Sequence, residues 1–456
     1  MKFWRAGIGT EPGGLRETAQ IVWPLALAMM AEAANHVCDR LFLSHCGDAA
    51  LEAILPAQML AVLLSGFLSA TIGYSATFVA QLHGGGKPHA ACRAFAQGLW
   101  LTLLSLPIFL LFIPFGNFII SSCGTNEAIR AAERSYFAIC APTGVFSVLN
   151  CVLAGILTGQ GRTRYAGLCT IVGSLANLAL DPLFIFKFDL GIAGAALATA
   201  VAQAAVTALL LSAVLRDPLV RDGFRSGDFA FSGRNSLEVL RFGLPLGFSS
   251  LIGGVSFTAF NFLVARCAPH ELAASNTVFA VNNVFFLATC AAAQGINILA
   301  GRYHGARRDD VVAVVFRSGL ILVGLALTVC FAVALPCTGF IMDLFRGADS
   351  TFDPAAFRQC GFYLFAIMFF REIAEGVLLI AGGALRGVGD TKYVMMLQGA
   401  VELFLRLPLI FLVAYLSESV YLLWLTMPID LGLTAILFVR RWRSRQWQFI
   451  HLDSPR

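Results

Sequence analysis

The residues of this 456-residue chain that could do chemistry are ionisable side chains set inside apolar runs. Glu32, Asp39, Arg40, Asp181, Arg371, Glu372, Glu375, Glu402, Arg406 and Asp430 each interrupt a stretch rich in Leu, Ile, Val, Phe, Ala and Gly. Charge in such a run costs free energy, so it persists where it pairs or works. Spacing divides the set. Glu402 and Arg406 stand at i,i+4, as do Arg371 and Glu375, so each pair can neutralise itself on a helix face. Asp39 and Asp181 have no Lys or Arg at i±3 or i±4, and Arg40, next to Asp39, points to another face. A transported cation would supply the missing counter-charge. Asn177 lies one turn before Asp181, and Pro182 has no N–H to offer the carbonyl of Leu178. Carboxylate, amide oxygen and released carbonyl are hard oxygen ligands suited to a small cation. The alternative is a polar cluster that only pins helices together. His36, at i−3 from Asp39, could join it or tune it, or simply pack.

The elements that must hold these groups are membrane helices. The chain is 58% hydrophobic and only 13% charged, and its mean hydropathy is +0.77. A soluble domain carries roughly a quarter charged residues. Twelve apolar stretches are long enough to span a bilayer: about 18–45, 54–82, 94–120, 131–158, 164–186, 190–215, 237–266, 274–301, 311–342, 357–385, 393–416 and 419–440. The first is expected to be a retained helix, since Glu32 and Asp39 lie within it and no A-x-A-like cleavage site follows a short apolar run. The longest polar break, Arg216 to Arg234, divides the chain into an N-terminal half (1–215), a linker (216–236), a C-terminal half (237–441) and a tail (442–456).

Charge sets the expected orientation. With the N-terminus cytoplasmic, 23 of the 32 Lys and Arg fall on inside loops and six on outside loops, with Arg40, Arg371 and Arg406 in spans. Both termini are therefore expected in the cytoplasm. The net charge of +5 needs no nucleic-acid partner, because basic loops face an anionic leaflet. The 12 cysteines form no C-x-x-C pair. No zinc-type Cys/His cluster, Walker motif, H-E-x-x-H or other catalytic constellation is present, so the chain is expected to be no enzyme and to use no cofactor beyond a coupling ion.

The halves repeat each other in order. Trp23-Pro24-Leu25 matches Leu244-Pro245-Leu246, and Cys46 to Ala53 matches Cys267 to Ala274, both at an offset of 221. Ala80 to Lys87 matches Ala300 to Arg307 at 220, and Gly155 to Arg164 matches Gly383 to Lys392 at 228. Even numbers of spans in two halves give lobes of like orientation, an arrangement suited to alternating access.

Several motifs resemble the multidrug and toxic compound extrusion (MATE) family along almost the whole chain. They are Asp39-Arg40-Leu41-Phe42-Leu43 before Cys46-Gly47, Gly159-Gln160-Gly161-Arg162-Thr163-Arg164, Asn177-Leu178-Ala179-Leu180-Asp181-Pro182-Leu183-Phe184-Ile185-Phe186, Gly191 to Thr199, and Gly383 to Thr391. The resemblance implies an all-α membrane protein of twelve helices, in two six-helix lobes related by pseudo-two-fold symmetry around a V-shaped cleft. It implies antiport of Na⁺ or H⁺ against amphipathic or cationic organic compounds, by a monomer in the bacterial inner membrane among its lipids. It also implies a cation site in the first lobe, with Asp39 and Asp181 as carboxylates and Asn177, Thr199 and the Ala195 carbonyl as further ligands, for Na⁺ if sodium is the coupling ion. Pro24 would be a hinge in the first helix, or a tolerated membrane proline. Another branch of the family carries acids in the seventh and tenth spans. Glu375 matches the tenth, as a substrate or coupling candidate, but 242–265 holds no acid. The repeat partner of Asp39 is Phe260, so the acidic site is not duplicated. A lipid-linked oligosaccharide flippase of the same superfamily is the alternative function, and it would need a basic cleft.

Overall fold

The computed structural model describes residues 11–450 except 44, 47, 123–125, 226, 269–270, 346–352 and 418, and no side chain at 40, 48–52 or 55. Lys2, Arg5, Gly47, Cys123, Pro269, His270, Arg346, Arg456 and the Arg40 side chain lie outside that description.

Helices account for nearly all of it. The first half comprises α1 (Leu15–Leu43), α2 (Asp48–Ile72), α3 (Ser75–Gly84), α4 (Pro88–Ser122), α5 (Glu127–Gly159), α6 (Thr163–Pro182) and α7 (Gly191–Leu215), with a short α8 (Pro218–Gly223) in the linker. The second comprises α9 (Gly233–Cys267), α10 (Leu272–Gly305), α11 (Asp309–Ala334), α12 (Thr338–Phe345), α13 (Pro354–Gly387), α14 (Thr391–Val401), α15 (Leu407–Leu416) and α16 (Val420–Arg443). Wider π-type turns follow α6 at Leu183–Lys187 and join α14 to α15 at Glu402–Arg406. Among the described residues, eleven helical stretches are long and apolar enough to cross a membrane. The 34-residue α13 is long enough, but Arg371, Glu372 and Glu375 at its middle make it less apolar.

The repeat is visible in helix ends. α5 ends at Gly159 and α13 at Gly387, while α6 begins at Thr163 and α14 at Thr391, all at the offset of 228. Gly161 (φ 85°) and Gly389 (φ 96°) take the left-handed backbone that turns each half into its next helix. The other junction corrects the sequence alignment by one residue. α3 ends at Gly84 and α10 at Gly305, and the left-handed residues after them are Gly86 and Arg307, so the offset there is 221 rather than 220.

Packing forms two compact units whose borders fall inside α1, α9 and α10. One holds the chain through Val22 with Leu251–Ala300 and the chain from Arg308; the other holds Trp23–Ser250 with Gly301–Arg307. In the first unit the opening of α1 lies on α10, where a Cβ on Gly295 would crowd Val22. In the second the opening of α9 lies on α2, where a Cβ on Gly243 would overlap the Thr71 carbonyl and one on Gly247 would crowd Phe67. Within the second unit the helix ends meet reciprocally. A Cβ on Gly84 would overlap the Arg302 carbonyl, and one on Gly305 the Gln81 carbonyl. Since 81 and 302, like 84 and 305, are 221 apart, each glycine meets the repeat partner of the other's neighbour.

The linker is anchored. Asp217 is buried, caps α8 through the Leu219 N–H, and receives Arg162 and Gln160 from the end of α5. Gln97 donates to the Ala230 carbonyl and accepts from Ser232, and Trp100 donates to the Phe229 carbonyl.

Overpacking a close helix contact costs about 1–3 kcal/mol. Gly84→Val and Gly305→Val should each lower the thermal midpoint of the purified protein in detergent. Gly324→Val, where a side chain meets open space, should leave it unchanged. Equal midpoints for all three, by scanning fluorimetry, would refute the seam.

Candidate functional site

Four helices of the second unit bring the site together. α6 carries Asn177 and Asp181 one turn apart on its packed side, at 4% and 0% exposure, while Leu175 and Leu178 lie on its outer side. α1 supplies Asp39, buried between the exposed Val37 and Leu41. The two carboxylates lie within hydrogen-bond reach of one another. Neither oxygen of Asp181 receives a hydrogen bond from a donor among the described residues, and the Asn177 amide nitrogen also has no partner there. The neighbour Asp181 does have is therefore another acid.

α5 adds two residues that sequence reasoning missed. Tyr136 and Cys140, one turn apart, bond to each other and sit in the field of Asp39; Tyr136 also senses Asp181. Tyr and Cys are ordinary occupants of apolar helices, so the only signal was their i,i+4 spacing opposite an acid. From α7, Ala195 packs with Tyr136, Leu43, Ile54, Ile185 and Ile192 in the apolar cluster beside the carboxylates. Thr199 donates its hydroxyl to the Ala195 carbonyl at 3.0 Å. That bond uses one lone pair of the carbonyl and leaves oxygen lone pairs on both groups. The residues present thus offer the hard oxygens a small cation takes.

Local backbone explains the placement of Asp181. Pro182 cannot donate to the helix ladder, and the turn that follows widens, with Phe188 N–H reaching the Leu183 carbonyl at 3.0 Å and Leu190 N–H the Phe184 carbonyl at 3.2 Å. α1 runs through Pro24 unbroken, and α6 approaches it closely because residue 167 is Gly: a Cβ there would crowd the Pro24 carbonyl. His36 is exposed and meets Gln58 of α2 at 2.7 Å. Glu32 is exposed as well, unlike Asp39 two turns later.

The first unit holds a second buried polar cluster. Arg371 of α13 bonds Glu372, meets Glu375 at 2.7 Å, and donates to Asn282 of α10 at 2.8 Å. Arg406 lies 3.9 Å from Glu402 and 3.6 Å from Asp430 of α16, and Ser256 of α9 donates to Glu402 at 3.1 Å. The i,i+4 spacing pairs Arg371 with Glu375 and Arg406 with Glu402, and the structure adds Asp430 of α16 as a second partner of Arg406. The π-type turn at 402–406 loosens the i,i+4 register and lets Asp430 take the closer place. Four carboxylates here face two guanidiniums.

Relatives place the chain. The MatE family profile matches residues 24–183 and 245–412. The chain is 26% identical over 387 residues to a probable multidrug resistance protein NorM of Deinococcus radiodurans, covering 83% of each. It is 24% identical over 449 residues to a protein of the same description from Mesorhizobium japonicum, covering 94% of each. Among solved structures, MATE in complex with MaL6 superposes with a TM-score of 0.86 at 18% identity, over 96% of this chain and 98% of that one. An outward-facing multidrug resistance MATE family transporter also gives 0.86 at 18% identity, over 96% and 97%.

Removing one member of a buried ion pair costs about 3–5 kcal/mol, because the other charge stays buried. Arg406→Met should therefore lower the thermal midpoint in detergent more than the double variant Arg406→Met/Asp430→Leu. A double variant less stable than the single one would contradict the pairing. With the fold, the repeated helix ends and the paired acids in place, the profile match over both halves shows that this chain belongs to the MatE family.

Proposed function

We propose that the chain is a secondary active antiporter that exports amphipathic or cationic organic compounds in exchange for Na⁺ or H⁺. The single observation that carries this is Asp181. A carboxylate with both oxygens buried, no donor among the described residues and a second carboxylate beside it calls for a bound proton or metal cation. Asp39 and Asp181 hold that cation, with Asn177, Thr199 and the Ala195 carbonyl as further oxygen ligands for Na⁺. Tyr136 and Cys140 line the same space.

Alternating access follows from the halves. Helix ends repeated at 221 and 228, and reciprocal glycine contacts at Gly84 and Gly305, support two six-helix lobes related by a pseudo-two-fold axis. α13 counts as the twelfth span, because the charges at its middle, Arg371, Glu372 and Glu375, are buried while Phe370 and Ile373 face outward at 64% and 44% exposure. Substrate enters a central cleft from the cytoplasm and leaves on the far side. The cation enters at Asp39 and Asp181 and shifts the equilibrium by its different affinity for the two states. Pro24, where the Gln20 carbonyl lacks its helical donor, is the hinge in α1. Both termini are cytoplasmic and the membrane is the bacterial inner membrane. The names of the NorM relatives support the substrate class. A flippase reading fares worse: Arg371 and Arg406 are already engaged by carboxylates and offer no free basic cleft.

In proteoliposomes under separately imposed Na⁺ and pH gradients, one gradient should drive tetraphenylphosphonium transport. Asp39→Asn and Asp181→Asn should each reduce driven transport to background, while Glu127→Gln, at an exposed helix start, should not. Full transport by both Asn variants would sink the coupling role.

A further inference from the structure

The outer face of the first unit carries a groove that the transport reading does not use. It runs between α13 and α16, has a volume of about 460 Å³, and is lined by Phe370, Ala374, Gly432, Ile436, Arg440 and Arg443 with a few further apolar residues. Its walls are exposed: Phe370 at 64% and Ile436 at 60%. Small residues make its floor, and a Cβ built on Gly432 meets nothing within 4 Å. The groove thus offers apolar side chains, and no polar one, along its length before the arginines.

One end is different. Arg440 and Arg443 close the groove at the C-terminal turn of α16, both exposed, and no described acid pairs with either. The arginine between them is engaged, since Arg441 holds Asp390 at 2.8 Å. No Asp or Glu lines the groove. From Gly432 to Arg443 the helix rises about 16 Å, roughly half of a bilayer core of about 30 Å. That is the depth of one leaflet, and its basic end is the end the charge distribution assigns to the cytoplasm. Phe449, just beyond, is 86% exposed, as an aromatic side chain at a membrane interface is.

We propose that this groove binds one anionic glycerophospholipid of the cytoplasmic leaflet, an acyl chain lying over Gly432 and the phosphate held by Arg440 and Arg443. The complementarity is of two kinds: an apolar slot one leaflet deep, and two unpaired guanidiniums where the headgroup falls. Guanidinium suits phosphate because its fork presents paired donors to two oxygens. The site stands on α13 and α16 alone and does not depend on the coupling acids.

Native mass spectrometry of the full chain, released from detergent with phosphatidylglycerol, phosphatidylcholine or inorganic phosphate, tests this. One phosphatidylglycerol should be retained per chain, with roughly thirty-fold preference over phosphatidylcholine, as expected for two basic residues near an anionic headgroup. Arg440→Gln/Arg443→Gln should bring that preference within a factor of about three, while Arg234→Gln/Arg241→Gln should leave it intact. Gly432→Phe, which fills the groove, should lower retention of both lipids without changing their ratio. Should Gly432→Phe fail to fold, the arginine variants still decide the matter. The proposal is overturned if phosphatidylglycerol and phosphatidylcholine are held equally, if the Arg234/Arg241 variant loses as much preference as the Arg440/Arg443 variant, or if inorganic phosphate alone displaces the lipid.

Discussion

Two buried carboxylates within reach of one another set the terms for the rest of this molecule. In hydrocarbon there is no water to screen them, and an uncompensated charge is far costlier there than in solution. Asp39 comes from α1 and Asp181 from α6, with Tyr136 and Cys140 of α5 against them. Three helices must therefore converge on a pair of groups that repel each other whenever both are ionised. Apolar packing around Leu43, Ile54, Ile185 and Ile192 closes the cluster beside the acids. Two carboxylates this close repel when both are ionised, and in the proposed function a proton or cation between them relieves that repulsion. A conformational cycle can then be linked to its arrival and departure.

The same physics resolves differently in the second half. There the acids came with bases: Arg371 and Arg406 draw Glu372, Glu375, Glu402 and Asp430 into a network across α13, α16 and the turn between α14 and α15. A network of this kind ties helices together without needing an exchangeable ion at every carboxylate. The halves share their backbone plan, down to left-handed residues at Gly161 and Gly389, and divide their chemistry. Glycines let the shared plan close up. At Gly84, Gly305 and Gly243 helices approach until backbone meets backbone, where any side chain would intrude.

Much of this was legible in the sequence, for a definable reason. Asp39, Asn177 and Asp181 stand out because charge and amide are rare in apolar helices, and span lengths follow from bilayer thickness. What was not legible depends on which helices are neighbours. Arg406 and Asp430 are far apart in sequence, and only the packing of α16 against the wider turn at 402–406 joins them. Tyr136 and Cys140 look like filler until α5 is laid against α1. The one-residue shift in the repeat at Gly84 and Gly305 arose because short Gly-rich loops align almost equally well in two registers. Backbone handedness at Gly86 and Arg307 fixes the register. The stretch from Arg216 to Arg234 reads as a polar linker between halves, and Asp217, Gln97 and Trp100 fasten it to α4 and α5 through hydrogen bonds that its composition does not announce.

Asp39 and Asp181 are proposed to share one exchangeable cation. Equilibrium binding to the purified protein in detergent tests it most directly, with radiolabelled Na⁺ counted at fixed pH and protons released on adding tetraphenylphosphonium counted with a pH dye. One cation per chain, Na⁺ or H⁺, is expected, lost in both Asp39→Asn and Asp181→Asn. Retention of the full stoichiometry in both variants would contradict it.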